Sequence, residues 1–116
     1  MKMKFCQWDC KILFGYYSNG RIAILLIDEA DSSPVAVATI DLPEVALLPR
    51  EIIVKDYSEN EGMVQALFDG NVIKMPARRV VETGFVKAPI CELTDPAMAE
   101  MLNQLAARAS QEDNHE

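Results

Sequence analysis

The sequence predicts an α+β fold in which an antiparallel sheet of about 5–7 strands packs against two helices. Three observations predict it. Residues 10–17 alternate apolar and polar side chains, residues 59–69 and 96–109 repeat apolar side chains at helical spacing, and turn-forming residues separate these segments. The chain has 116 residues, 50% of them hydrophobic and 25% charged. This balance predicts one domain over residues 1–109 and a disordered acidic tail over residues 110–116.

The N-terminal part is predicted to form an antiparallel meander. Residues 10–17 alternate in polarity, residues 21–28 are apolar on both faces, and the intervening SNG is typical of a tight hairpin turn. A two-residue loop there would place Phe14 opposite Leu25. In the last predicted strand, residues 85–93, Pro89 favours an edge position or a bulge. The other predicted strands are residues 1–8, 34–42, 51–56, 72–75 and 78–82.

The first helix is predicted over residues 59–69. Ser58 and Glu61 match the S-x-x-E capping box, in which each side chain satisfies a backbone donor at the start of a helix. Met63 and Leu67 form an apolar pair at i, i+4 spacing and are expected to face the sheet. Gly70 is predicted to close the helix in the left-handed conformation.

The second helix is predicted over residues 96–109, with Asp95 as its cap and Pro96 at its first position. Its apolar face is expected to pack on the sheet, and the sequence leaves open a homodimer through the same face. That face comprises Met98, Met101, Leu102, Leu105 and Ala109.

The chain is acidic, with 11 Lys and Arg against 18 Asp and Glu and a formal net charge of −7 at pH 7. A negative surface repels a phosphate backbone, so direct nucleic-acid binding is disfavoured. The longest apolar run, residues 22–27, is too short to cross a bilayer. No export signal or membrane association is therefore predicted.

The cysteines and the single histidine exclude several kinds of chemistry. Cys6, Cys10 and Cys91 are odd in number, which favours reduced thiols and a cytoplasmic location. Together with His115 they contain enough ligand types for zinc, and the spacing of Cys6 and Cys10 is permissible, but Cys91 and His115 are lone residues. Small buried hydrophobes are the favoured interpretation, and no metal is predicted. A hydrolase that uses a histidine base is disfavoured because His115 lies next to the C-terminus. The scattered glycines form no phosphate loop, and no cofactor is predicted.

Basic residues are concentrated at one place, where Arg78 and Arg79 lie near Lys74 and Lys87. In an alternating strand the two arginines point to opposite faces, so at most one can join a common patch. A solvated edge strand protected by charge is the favoured interpretation.

The sequence KDYSENEGM, residues 55–63, has the most conspicuous arrangement of polar side chains. Asp56, Glu59 and Glu61 could act as general acid and base or bind a divalent cation. Structural roles are favoured, because carboxylates in a first helical turn complement the helix dipole and Glu61 belongs to the capping box. Gly62 is a poor helix former, which indicates that another group packs close to its backbone.

KDYSENEGM at 55–63, GFVKAPICEL at 84–93 and YSNGR at 17–21 together resemble a family of small domains found in bacteria, phages, plasmids and integrated elements. The resemblance covers about residues 1–93, and the C-terminal helix and tail are additions to it. The family has no established activity, so the resemblance implies no catalytic residue, substrate or cofactor. It implies a mobile-element setting, in which small acidic proteins often bind a host protein.

We therefore expect a non-enzymatic, acidic accessory protein of a mobile element or bacterium, which acts in the cytoplasm by contact with a host protein or a second copy. Two alternatives stay open: a nucleic-acid mimic that blocks a host nuclease or defence protein, and an enzyme with a carboxylate site near Asp56. The carboxylates available for mimicry, Glu82, Glu92, Asp95 and Glu100, are scattered in the sequence. The predicted partner-binding surface comprises Asp56, Tyr57, Glu59, Asn60 and Glu61.

Overall fold

The computed structural model describes residues 1–113 and confirms the predicted α+β class. Seven strands form two antiparallel sheets, one of four strands and one of three, and two α-helices complete the fold. The number of strands lies within the predicted range. The division into two sheets was not predicted.

The first sheet is the predicted N-terminal meander, with its strands adjacent in chain order. Alternation places Ile12 and Phe14 opposite Leu26 and Ile24, and all four side chains are buried on the inner face. The last strand is shorter than the predicted 34–42. The strands are β1 (Lys2–Phe5), β2 (Trp8–Tyr16), β3 (Ile22–Asp28) and β4 (Pro34–Val37).

The hairpin between β2 and β3 has a three-residue loop instead of a two-residue loop. The Tyr17 N–H donates to the Arg21 carbonyl at 2.8 Å, and Gly20 adopts the left-handed conformation with φ 86°. A glycine in this conformation at the end of the loop is typical of three-residue hairpins. Phe14 therefore lies opposite Ile24, one residue away from the predicted register.

The second sheet is built from the middle and the end of the chain. The predicted strand at 72–75 does not form, and Ile73 makes only a single bridge to Leu93. The three strands lie in the order β5, β7, β6 and hydrogen-bond as antiparallel pairs. They are β5 (Glu51–Ile53), β6 (Arg79–Thr83) and β7 (Val86–Glu92).

Pro89 lies in the central strand β7, so the prediction of an edge or a bulge was wrong. A proline in a central strand leaves one ladder hydrogen bond unmade. Here Pro89 lies level with Val54, whose N–H donates to the Pro89 carbonyl at 2.9 Å. Because β5 ends at Ile53, the missing donor falls where the pairing stops.

Residues 38–40 connect the two sheets. The Ala38 N–H donates to the Ile24 carbonyl in β3 at 2.9 Å, and the Ile40 N–H donates to the Ile53 carbonyl in β5 at 3.1 Å. Buried side chains from both sheets then share one hydrophobic core.

The first helix, α1 (Met63–Asp69), begins later than the predicted residue 59. A 3-10 turn over Ser58–Asn60 occupies the predicted first helical turn. Met63 and Leu67 are buried in the shared core, as their spacing predicts.

The second helix, α2 (Asp95–Asp113), continues past the predicted end at 109. The rest of the predicted tail, residues 114–116 with His115, lies outside the described residues. Ala97 and Met101 are buried against the sheet of the same chain. Among residues 1–113, no helix is both long enough and apolar enough to span a membrane.

Candidate functional site

The acidic turn, which we define as residues 55–63, connects β5 to α1. It includes two residues in the left-handed region, Ser58 with φ 55° and Gly62 with φ 93°. A residue other than glycine held in this region costs about 1–3 kcal/mol. The contacts around Ser58 must therefore fix the backbone of the turn.

Asp56 supplies one of these contacts. Its Oδ1 accepts hydrogen bonds from the N–H groups of Gly62, at 2.6 Å, and Met63, at 3.1 Å. These are donors at the start of α1 that have no partner within the helix. The predicted capping box is wrong, because neither Ser58 nor Glu61 makes a side-chain cap. The 3-10 turn displaces both residues from the positions that a capping box requires.

Asn60 supplies a second contact. Its side chain is buried, with 2% of the residue surface exposed, and its Nδ2 donates to the Val37 carbonyl at 2.6 Å. This bond ties the acidic turn to the end of β4. Asn60 was predicted as part of a partner-binding surface, and the structure places it in the interior instead.

Tyr57, Glu59 and Glu61 form the outer side of the acidic turn. Glu59 and Glu61 are exposed, and Tyr57 is half-buried. The Lys55 Nζ lies 2.5 Å from Glu59 Oε1 and 5.7 Å from the centre of the Tyr57 ring. The hydrogen bond from Lys55 lowers the pKa of Glu59 below its ordinary value and raises the pKa of Lys55.

Two glycines border α1 for different reasons. A Cβ on Gly62 would meet no atom within 4 Å, so its left-handed backbone explains the glycine, and the predicted close contact is wrong. A Cβ on Gly70 would lie 2.7 Å from the Cβ of Met3, so the close approach is there. Gly70 is not left-handed, contrary to prediction, and Asn71 takes that conformation with φ 61°.

A depression of about 620 Å³ lies beside the acidic turn, and we call it the edge groove. One wall is strand β1 with Cys6, and the other is the exposed side of α1 with Glu61. Asp56 does not line it. The residues of the α1 wall are Glu61, Gly62, Gln65, Ala66, Asp69 and Gly70.

A second polar site, the Glu51 cluster, was missed by sequence reasoning. It consists of Glu51, Arg78, Arg79, Glu92 and Lys74. The Glu51 side chain is 1% exposed, and its carboxylate lies 3.2 Å from Arg79 Nη1 and 3.8 Å from Arg78 Nε. The prediction that only one arginine can join a patch is wrong, because β6 begins at Arg79 and strand alternation does not extend to Arg78. A signal was present, since Glu51 is the first residue of a strand that is otherwise apolar, and a charge that is buried with such a strand requires a partner.

The basic side chains of this region are neutralised by neighbouring carboxylates. Glu92 accepts hydrogen bonds from Arg78 and from Lys74, which lower its pKa below the ordinary value. Arg50 Nη2 lies 2.6 Å from Asp95 Oδ1. The cluster therefore offers no free positive patch to a phosphate backbone.

The three cysteines differ in their exposure to solvent. Cys6 is exposed, whereas Cys10 and Cys91 are buried, and none is in a disulfide. Burial raises the pKa of the Cys91 thiol to about 11 and also raises that of Cys10. Within residues 1–111, whose side chains the structure describes, no three His, Cys, Asp or Glu side chains are grouped so that they could hold a metal ion. His115 lies outside this range.

The structure thus divides the five predicted site residues into two groups. Asp56 and Asn60 hold the acidic turn in place, and Tyr57, Glu59 and Glu61 form its outer surface. No family model, curated protein or solved structure matches this chain.

Proposed function

We propose that this chain is a non-enzymatic, acidic accessory protein of a mobile element or bacterium that acts by protein–protein contact. The contact surface is the outer side of the acidic turn together with the adjoining edge groove. The resemblance at residues 55–63 and 84–93 supports the mobile-element setting. The three free cysteines support a reducing, cytoplasmic location.

One observation carries the proposal: a strained backbone is fixed from the inside while its outer side chains face solvent. Ser58 is left-handed, and the residues two positions before and after it are anchored: Asp56 accepts from the N–H groups of Gly62 and Met63, and Asn60 donates to the Val37 carbonyl. Strained segments that their surroundings hold in place are concentrated at binding and catalytic sites. A rigid surface also loses little conformational entropy when a partner binds.

The nucleic-acid mimic is the weaker alternative, because three of the four carboxylates that would supply it are engaged within the chain. Glu92 accepts from Arg78, Asp95 pairs with Arg50, and Glu100 Oε2 lies 3.4 Å from the N-terminal amine. Carboxylates that are neutralised in this way do not present the charge of a phosphate row.

The enzyme with a carboxylate site near Asp56 is also weaker. One oxygen of Asp56 already accepts two backbone N–H groups, and the residue does not line the edge groove. A general acid or base must lie within hydrogen-bond distance of the substrate group whose proton it transfers. Nothing in the geometry of Asp56 provides that access.

Affinity capture from bacterial lysate tests the proposal. The bait proteins are wild type and a Tyr57→Ala, Glu59→Gln, Glu61→Gln variant, with retained proteins quantified by mass spectrometry. We expect a specific protein on the wild type and a loss of about tenfold or more on the variant, the size expected when hot-spot contacts are removed.

A matched control variant carries the same types of substitution at positions outside the acidic turn and the edge groove. The Tyr16→Ala, Glu44→Gln, Glu82→Gln variant also lacks one tyrosine and two carboxylates from exposed positions. It should retain the partner like the wild type. Equal losses on both variants, or recovery no higher than on empty resin, would contradict the proposed function.

A further inference from the structure

We propose that the edge groove binds an extended segment of a partner protein, which adds a strand to β1 and directs basic side chains at α1. This inference rests on the proposed function, since it specifies the partner chemistry of the same contact.

Strand β1 lies at the edge of the first sheet, and one of its two sides is not paired with another strand. Phe5 and Trp8 close a two-residue hairpin, and the Ile12 N–H donates to the Met1 carbonyl at 3.0 Å. Alternation in an antiparallel ladder then directs the backbone N–H and C=O groups of Lys2 and Lys4 away from β2. In the part of the chain that the structure describes, no hydrogen bond satisfies these groups. An unpaired edge of this kind is a template for another strand.

The α1 wall of the edge groove is negatively charged. Gln65 and Asp69 lie one helical turn apart on α1, and Glu61 lies just before the helix; all three are exposed on the α1 wall. Asp69 accepts a hydrogen bond from Gln65 at 2.8 Å. Among the described side chains of residues 1–111, no ion pair involves Glu61 or Asp69, so the α1 wall carries unneutralised negative charge.

The lysines of β1 do not cancel that charge. Lys2 Nζ lies 2.5 Å from Glu29 Oε1, and Lys4 Nζ lies 3.6 Å from Asp9 Oδ1. Lys2 is therefore paired with a residue just after β3, and Lys4 with a residue of β2. A strand added to β1 would place alternate side chains toward α1, and lysine or arginine at those positions would meet Glu61 and Asp69.

A second copy of this chain fits the edge poorly. Antiparallel pairing of β1 with β1 of another copy, through the same outward groups, would bring lysines opposite lysines. Like charges directly opposite each other destabilise a strand pair. Lysine on an edge strand is a common means of preventing self-pairing. The favoured occupant is a segment of a different protein.

The dimensions favour a short segment. Strand β1 has 4 residues and so spans about 13 Å at the usual rise per residue. The groove volume of about 620 Å³ lies within the range of protein ligand pockets. Close contact between Gly70 and Met3 narrows the groove at that point.

Amide NMR of the 15N-labelled chain tests the inference with two synthetic hexapeptides. One alternates threonine and lysine, and the control alternates threonine and glutamate. We expect the lysine peptide to shift the amides of Lys2, Lys4 and residues 61–70, and the glutamate peptide to leave them unchanged. Shifts elsewhere, or no shift with the lysine peptide, would overturn the inference.

Two substitutions at one position separate backbone pairing from side-chain attraction. Lys4→Pro removes an N–H that points away from β2, whereas Lys4→Ala keeps it. We expect Lys4→Pro to weaken binding of the lysine peptide about three- to tenfold relative to Lys4→Ala, as the loss of one hydrogen bond predicts. Equal affinities would exclude strand addition at β1.

A charge-reversed variant keeps the test decisive if Lys4→Pro disturbs the fold. Glu61→Lys with Asp69→Lys changes only exposed side chains and should exchange the preference, so that the glutamate peptide binds in the groove and the lysine peptide does not. An unchanged preference would overturn the inference. If lysate capture yields a partner while both peptide tests fail, the proposed function stands and strand addition is wrong.

Discussion

The acidic turn and the Glu51 cluster both depend on a carboxylate, but they use it differently. In the acidic turn, Asp56 accepts from backbone N–H groups six and seven residues further along the chain. In the Glu51 cluster, a carboxylate accepts from the Leu48 N–H and lies beside Arg79 of β6 and Arg78, which precedes that strand. The first arrangement shapes a local loop, and the second connects distant parts of the second sheet.

The difference shows why charge alone is a poor guide to function. The acidic turn has the conspicuous carboxylates, yet Asp56 has a structural role and Glu59 is paired with Lys55. The Glu51 cluster has no conspicuous acidic sequence, yet it contains the most deeply buried carboxylate of those described. The stability lost on substitution should therefore depend on how many groups each buried side chain satisfies and on how deeply it is buried.

The largest effect is expected for Glu51→Ala. The substitution leaves the Leu48 N–H without its acceptor and separates both arginines from their buried partner. We expect a loss of about 2–4 kcal/mol in the free energy of unfolding, measured by urea denaturation. Glu44→Ala, at an exposed position, is the control and should change stability by less than about 0.5 kcal/mol. Equal changes would show that the cluster does not stabilise the second sheet.

Asn60→Ala is expected to have the next largest effect. It removes the buried amide that donates to the Val37 carbonyl and leaves that acceptor unsatisfied. The expected loss is about 1–3 kcal/mol in the same measurement. Asn103→Ala, at an exposed position of α2, should have little effect. A stability loss no larger than that of the control would mean that Asn60 does not anchor the turn.

Asp56→Ala tests the assignment of the cap. We expect a loss of about 1–2 kcal/mol, because two N–H groups at the start of α1 lose their acceptor. Ser58→Ala and Glu61→Ala should each cost less than about 0.5 kcal/mol, since neither side chain caps the helix. Larger stability losses for Ser58→Ala and Glu61→Ala than for Asp56→Ala would contradict this assignment and support the capping box predicted from the sequence.

The smallest effect concerns pH and Glu92. Hydrogen bonds from Arg78 and then Lys74 lower the pKa of Glu92 from its ordinary value of 4.5. A carboxylate with a lowered folded-state pKa stabilises the fold above its unfolded pKa, and this contribution is lost as pH falls through the folded value. Glu92→Gln should therefore reduce the loss of stability between about pH 7 and about pH 3.

Unfolding of both proteins across this pH range measures the effect. Glu82→Gln removes an exposed carboxylate from β6 and serves as the control. An identical pH dependence for wild type and Glu92→Gln would contradict the role of the Glu92 hydrogen bonds.

Much of the fold could be predicted because its signals are local. Alternation placed Ile12 and Phe14 on the inner face of β2, and helical spacing placed Met63 and Leu67 in the core. Loop geometry was harder to predict, because Gly20 is compatible with both two- and three-residue hairpins. The register of Phe14 depends on that choice.

The candidate site was less predictable, since its contacts join residues that are distant in sequence. The roles of Asn60 and Glu51 depend on Val37 and Arg79, which no local pattern connects to them. The capping box failed because a 3-10 turn satisfies the same short pattern with a different backbone. Glu61 was identified from the sequence, but the edge groove beside it requires the position of β1.

On the proposed function, partners bind where the acidic turn meets the edge groove. The most direct measurement compares the dissociation constants of the captured partner for Glu61→Gln and Glu59→Gln. Glu61 lines the groove, whereas Glu59 is paired with Lys55 outside it. We predict that Glu61→Gln weakens binding about three- to tenfold and that Glu59→Gln has a smaller effect. Unchanged binding for Glu61→Gln, or a larger loss for Glu59→Gln, would contradict the claim.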